Sequence, residues 1–219
     1  MEIDSTDGLT KSEEVSLTAI ILAGGKSSRM GQDKALMQIN GIPLLQKVYE
    51  VAASCSQRVL VVTPWQERYQ QLLPHTCNFV QEMHISEEFN DIQNHGPLVG
   101  FAQALATVET EWVLLLACDL PNLDVQTLKA WANKLTQTED HFIAALVKHD
   151  KGWEPLCGFY RQLCLPHLNE FINQGGRSFQ KWLAQNPVAV LPDSVPEIFF
   201  NCNTLEDVRK INATKFENK

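Results

Sequence analysis

Apolar residues fall into two kinds of run along this chain. "LTAIILAGG", "RVLVVT" and "EWVLLLACD" are continuously apolar rather than alternating, the pattern of strands covered on both faces. "NFVQE" and "FIAALVK" add two shorter strands. The segments between them carry helical spacing. "IPLLQKVYEVAASC" places Leu44, Leu45, Val48 and Val51 on one side. "PWQERYQQLL" is a short helix with Pro64 just ahead of it, an allowed position. "GPLVGFAQALATV" opens on Gly96-Pro97, and "LDVQTLKAWANKL" has Asp124 as its expected N-cap.

Strand and helix therefore alternate, which implies an α/β fold: three αβα layers around a mostly parallel central sheet. Right-handed crossovers bring the strand C-termini to one edge, where such sheets bind ligands near a topological switch point. Past about residue 150 the pattern weakens. "EPLCGFY" and "VAVLP" read as strands, and "LPHLNEFINQ" and "RSFQKWLAQ" as helices. "NTLEDVRKI" closes the chain as a helix capped by Asn203 or Thr204. No repeat, low-complexity tract or linker divides it, so residues 17–213 are expected to form a single domain. Residues 1–16 are polar and acidic; they are expected to be a disordered tail, without the features of a signal peptide. The polar run "EMHISEEFNDIQNH" (82–95) is a loop of a length that usually serves function.

Composition narrows the functional classes. A net charge of −8 argues against broad nucleic-acid or anionic-membrane binding. No apolar run approaches a membrane span. The cysteines form no CxxC pair and the histidines no HxH or HExxH, so a disulfide framework or zinc site is weakly supported. Cys118 reads as a small buried apolar residue, and a reducing cytoplasm fits best.

Against that acidic background stands "IILAGGKSSRMGQDKAL" (20–36), with Lys26, Arg29 and Lys34 on a glycine-rich loop at a strand end. Exposed N–H groups there can cradle an oxyanion, and Gly24 and Gly25 allow close approach. Arg can fork onto phosphate oxygens, while Lys acts as a point charge. The spacing fails the Walker A pattern GxxxxGK[ST] and the dinucleotide pattern GxGxxG. No HGGG or GxSxG hydrolase motif is present. The bland alternative is a plain strand-to-helix turn with solvated lysines.

The whole string is more specific than its glycines. "LAGGKSSRMGQDK" resembles the signature loop of nucleotidyltransferases with a glycosyltransferase-A-like Rossmann fold, and is most similar to that of the molybdenum cofactor guanylyltransferases. "NGIPLLQKV", "HGPLVGFAQAL", "LLLACDLPNL" and "NCNTLEDV" resemble that family's later motifs in order. The resemblance implies transfer of GMP from GTP to the phosphate of molybdenum-bound molybdopterin, with release of pyrophosphate.

The roles it implies attach to particular positions. Leu22, Ala23, Gly24 and Gly25 would hold the triphosphate and ribose through backbone groups. Lys34 would contact the phosphates, and Arg29 would stabilise charge on the departing pyrophosphate. Asp33 would orient Lys34 or cap the backbone. Asp119, ending the most apolar strand opposite the cationic loop, suits Mg²⁺, which takes one or two carboxylates with phosphate oxygens and water; the alternative is a turn or capping residue. Glu82 would contact the nucleotide from a position where the family carries Asp. Asn201 and Asn203 would meet the metal or the pterin phosphate, unless Asn203 is a helix cap. Glu154 and Arg177 would lie on the acceptor side. The implied partners are GTP, the molybdenum-bound pterin, and proteins that deliver or receive the cofactor, with no nucleic acid or membrane. Two other readings keep the fold: a cytidylyltransferase acting on the molybdenum cofactor or on a sugar or polyol phosphate, and a non-catalytic nucleotide-binding regulator.

Overall fold

The computed structural model describes residues 15–24, 33–82, 96–192 and 196–214. Its elements run β1 (Leu17–Leu22), β2 (Gln38–Ile39), β3 (Ile42–Pro43), α1 (Leu44–Cys55), β4 (Arg58–Thr63), α2 (Gln66–Tyr69), β5 (Asn78–Gln81) and α3 (Gly96–Leu105). They continue as β6 (Trp112–Ala117), α4 (Val125–Ala132), β7 (Ala144–Leu146), β8 (Lys148–His149), β9 (Gly152–Trp153), β10 (Cys157–Arg161), α5 (Leu165–Asn173), α6 (Phe179–Leu183), β11 (Val188–Val190) and α7 (Leu205–Thr214).

The main sheet has seven strands in the order β11-β7-β10-β6-β1-β4-β5. Its unbroken apolar strands are explained by the two cores they serve. Ala19, Ile21, Val59, Val61, Leu114 and Leu116 face the layer holding α1 and α4. Ile20, Leu60, Val62, Val113 and Leu115 face α3, α5 and α6. Successive side chains thus enter opposite cores, and the polar residues of these strands, Thr18, Arg58 and Thr63, fall at or next to their ends.

All neighbouring strands pair parallel except at β10, which runs antiparallel to both β6 and β7. The cause is the connection. After β7 the chain makes the β8–β9 hairpin and re-enters the sheet from the same edge, without a helical crossover to carry it back. A second hairpin, β2–β3, precedes α1 where the sequence suggested only a helix start. Its Asn40-Gly41 turn has φ of 54° and 78°, the paired left-handed geometry that suits those residues.

The path reverses beside β1. From β1 the chain moves outward through β4 and β5, then returns to place β6 on the other side of β1. Leu22 is in register with Ala117, so the two strands end side by side at the switch point. Among the described residues no helix is long and apolar enough to cross a membrane.

Candidate active site at the switch point

The chain leaves β1 through Leu22, Ala23 and Gly24, which form part of the lining of a cleft of about 310 Å³. Two backbone groups of this segment are committed to the sheet. The Leu22 carbonyl accepts from Cys118 N at 3.1 Å, and Ala23 N donates to the Val62 carbonyl at 2.9 Å. Ala23 therefore shapes the floor without offering its own N–H. Gly25 and Arg29, named from the sequence, lie outside the described residues, as does His95.

Gly24 leaves space that Glu82 occupies. A Cβ there would come within 2.4 Å of Glu82 Oε2 and 3.3 Å of Pro64 Cδ. Glu82 follows β5, lines the same cleft, and lies over Gly100 of α3, where a Cβ would also crowd Val62. Gly24 thus leaves room for the Glu82 carboxylate, while Gly100 meets that side chain at ordinary contact distance.

Lys34 opens a single 3₁₀ turn, Lys34–Leu36, whose N-cap is Asp33 through Oδ1 and Ala35 N at 3.1 Å. From this turn the Lys34 ammonium donates to Asn203 Oδ1 at 2.5 Å and lies 3.5 Å from Asp119 Oδ2. Residues 34, 119 and 203 thus meet from three separate stretches of chain. Asp119 is the second turn residue beyond β6, at the end of the most apolar strand. It is not the cap of the helix that follows. Asp124 takes that part, accepting from Thr127 N at 2.7 Å, as the sequence suggested. Asp119 Oδ1 has no partner among the described residues.

The Asn-x-Asn segment is held at the same place by its backbone: Cys202 N donates to the Asp119 carbonyl at 2.8 Å. The choice between Asn203 and Thr204 as cap of α7 is resolved for Thr204. Its hydroxyl accepts from Asp207 N at 3.1 Å, and Asp207 Oδ2 accepts from Thr204 N at 2.8 Å and Asn203 N at 3.0 Å. This is a reciprocal capping box, and it leaves the Asn203 side chain to Lys34. Asn201 donates instead to the Phe199 carbonyl at 3.3 Å.

Two expected acceptor-side residues do not line this cleft. Glu154 lies 3.6 Å from His149 Nε2, and that imidazole meets the Phe199 ring edge-on at 5.2 Å. The Arg177 guanidinium folds onto the end of α5, donating to the Ile172 carbonyl at 2.8 Å and the Gly176 carbonyl at 2.7 Å. Arginine at a helix C-terminus serves that role readily.

Sequence reasoning missed Tyr69 and Arg68. Tyr69 donates its hydroxyl to Asp33 Oδ2 at 2.6 Å, and Arg68 Nη1 lies 3.6 Å from the same oxygen. Asp33 thus caps the turn as expected, while its second oxygen faces α2 rather than Lys34. Nothing in the spacing of "QERY" marks it as a neighbour of "QDK". Burial, reinforced by Asp119 and Asp33, pushes the Cys118 thiol well up, so this cleft-lining cysteine stays protonated.

Among the described residues no group of three or more His, Cys, Asp or Glu could enclose a metal ion. Of the cleft's carboxylates, Asp119 lies beside the Lys34 ammonium and keeps one oxygen without a partner among the described residues, next to Ala23 and Gly24. It suits a hard cation that arrives with a polyanionic ligand and takes most of its coordination from phosphate and water.

Comparisons with known proteins bear on the family and the fold. Residues 19–190 match the model of the MobA-like NTP transferase domain. A protein of Nostoc sp. named probable molybdenum cofactor guanylyltransferase is 58% identical over 197 residues, covering 90% of this chain and 91% of the relative. The molybdenum cofactor guanylyltransferase of Vibrio cholerae is 32% identical, covering 89% and 90%. The crystal structure of molybdopterin-guanine dinucleotide biosynthesis protein A from Archaeoglobus fulgidus superposes with a TM-score of 0.72 over 91% of this chain and 99% of that one, at 22% identity. The sheet order, the switch-point cleft and these matches lead to one conclusion: the chain belongs to the MobA-like NTP transferase family.

Proposed function

We propose that this protein transfers GMP from GTP to the phosphate of molybdenum-bound molybdopterin and releases pyrophosphate. The observation that carries the reading is the convergence of Lys34, Asp119 and Asn203 beside the Ala23-Gly24 turn. The names of the relatives that match nine-tenths of the chain support the base and the acceptor.

The chain's own residues account for positioning and charge. Ala23 and Gly24 line the cleft beside Lys34 and would lie against the nucleotide. Lys34 neutralises phosphate charge from a turn whose backbone is capped, so little reorganisation is needed as charge moves towards the leaving pyrophosphate. Asn203 holds the ammonium while its other neighbour, Asp119, is shared. Asp119 Oδ1 and the substrate phosphates would hold a divalent cation such as Mg²⁺, which supplies Lewis-acid stabilisation of the phosphoryl oxygens. Glu82 reaches into the cleft from the β5 side and contacts the nucleoside. The acceptor phosphate then attacks the α-phosphorus in line, and no covalent enzyme intermediate is required.

The test is to incubate the protein with each of the four NTPs, Mg²⁺ and molybdopterin, and to follow pyrophosphate. GTP is expected to be consumed in preference to CTP and ATP. Faster turnover with CTP would make the protein a cytidylyltransferase. Nucleotide binding without any pyrophosphate release would make it a regulator.

A further inference from the structure

Outside the cleft's own residues, the contact that stands out is the one between α2 and the residue next to Lys34. Asp33 is a carboxylate adjoining the key lysine, lining the same cleft. Left to itself it would compete with Asp119 for the Lys34 ammonium, since a lysine stem is long and its charge is not directional. In the structure its two oxygens face elsewhere: Oδ1 to the Ala35 N–H and Oδ2 to the Tyr69 hydroxyl and Arg68.

The α2 side of this contact is rigidly held. The Tyr69 residue is fully buried, in the core beneath α1. Its phenol is raised well above its ordinary value, by burial first and by the bond to Asp33 second, so it is a neutral O–H donor. Arg68 is braced with its guanidinium 4.8 Å above the Trp65 ring. The Tyr69–Asp33 bond spans 36 positions, joining the segment after β4 to the segment after β1.

We propose that Tyr69, assisted by Arg68, is a positioning residue for Lys34: by holding the Asp33 carboxylate it fixes the turn and keeps Asp33 from drawing the ammonium away from Asp119 and Asn203. The inference rests on the reading of Lys34 as the phosphate-neutralising group. Tyr69 touches no reacting atom. Its effect passes through Asp33 to the placement of one charge. Arg68 is about half exposed, so its share of the effect is smaller.

Tyr69→Phe removes only the hydroxyl, and two measurements test it. The first is a double-mutant cycle with Lys34→Met. Tyr69→Phe alone should lower kcat about tenfold, with KM for GTP within about twofold, because the misplaced charge acts in the transition state. With Lys34 already replaced, the same change should cost less than about twofold. Equal fold losses in the two backgrounds, or a loss of Tm with unchanged kcat, would overturn the proposal.

The second measurement does not use catalysis. Acylation of lysines by an amine-reactive ester, read by peptide mass spectrometry, should change in rate at Lys34 by about threefold in Tyr69→Phe, as the ammonium exchanges Asp119 and Asn203 for Asp33. Lys181, an exposed residue of α6, should react unchanged. An unaltered Lys34 rate would overturn the proposal. Absence of GMP transfer by the wild-type protein together with the altered labelling would defeat the proposed reaction and leave the positioning role standing.

Discussion

Strand β6 ends in charge at both ends, and the two ends use it differently. At its start, Arg161 from β10 lies against Trp112, with its guanidinium 4.4 Å from the ring centroid. Its side chain is 5% exposed and its donors are spent on protein: Glu111, the Thr138 carbonyl at 3.0 Å, the Phe142 carbonyl at 3.2 Å and Asp140 at 3.4 Å. At the other end, Lys34 and Asp119 are 28% and 19% exposed, border a cleft, and leave Asp119 Oδ1 without a partner among the described residues. Both clusters pair a cation with carboxylates near a strand terminus. What separates them is residual bonding capacity. The first is saturated and closes one edge of the sheet; the second is arranged around space.

The sharpest way to break this contrast is Asp119→Asn. The substitution keeps size and hydrogen bonding but removes the charge a hard cation needs. Transfer should fall by about 10³ or more, with Tm nearly unchanged and some GTP still bound. The Mg²⁺ titration of turnover and the melting temperature, measured on one preparation, decide it. Near wild-type turnover at saturating Mg²⁺ would make Asp119 a turn residue and the contrast false. Lys34→Ala should follow with a loss of about 10², roughly 3 kcal/mol of transition-state stabilisation. Its fold should persist, because the side chain leaves a half-open site rather than a packed one. A normal rate in a folded variant would return Lys34 to the solvated surface.

The opposite end should show the reverse. Arg161→Ala leaves two carbonyls without their donor and uncovers the face of Trp112. Its carboxylate partners are mostly exposed and can be resolvated, which limits the cost of stranding them. A destabilisation of about 2 kcal/mol is expected, or roughly 4–8 °C in Tm. Turnover of the folded fraction should stay within about twofold. A tenfold fall in turnover at unchanged Tm would show that the two ends of β6 are coupled.

How far the sequence foretold this contrast depends on which interactions are local. The buried strands, the helices between them and the Asp124 cap were legible because each follows from spacing within a short window. The place of Asp119 on the cleft was legible because strand C-termini face the switch-point edge in parallel sheets. Arg161 was not, because its location depends on β10 running backwards, and that depends on a connection too short for a helix. Had β10 been parallel, Arg161 would sit at the ligand edge. The β2–β3 hairpin was readable in "QINGIP", whose Asn-Gly pair between Ile39 and Ile42 is a hairpin signal that the helical reading absorbed. Tyr69 was beyond reach, since its partner lies 36 positions away and no periodicity links them.

The smallest effect sharpens the comparison most, because Asp207 is a carboxylate at the functional edge whose contacts are those of a cap. It accepts from Asn203 N and Thr204 N, and hydrogen bonding, led by the Thr204 contact, holds its acid below the ordinary value of 3.8. A depressed folded value means the stabilisation is complete above the unfolded value and is lost as pH falls through the folded one. Its exposure limits the amount, so Asp207→Ala should lower Tm by only about 1–3 °C at neutral pH. The gap between variant and wild type should begin to narrow below about pH 4, the unfolded value, and close only as pH falls through the lower folded value, where the wild-type carboxyl loses its charge. Turnover per folded molecule should remain within about threefold, because the Cys202 bond to the Asp119 carbonyl still anchors the Asn-x-Asn segment. Thermal melts from pH 3 to 8, paired with turnover at neutral pH, read both quantities. A Tm gap that persists in acid would remove the charged cap as the cause. A turnover loss beyond tenfold would move Asp207 into the same functional set as Asp119, and proximity to the cleft, rather than open bonding capacity, would then be what distinguishes the two ends of β6.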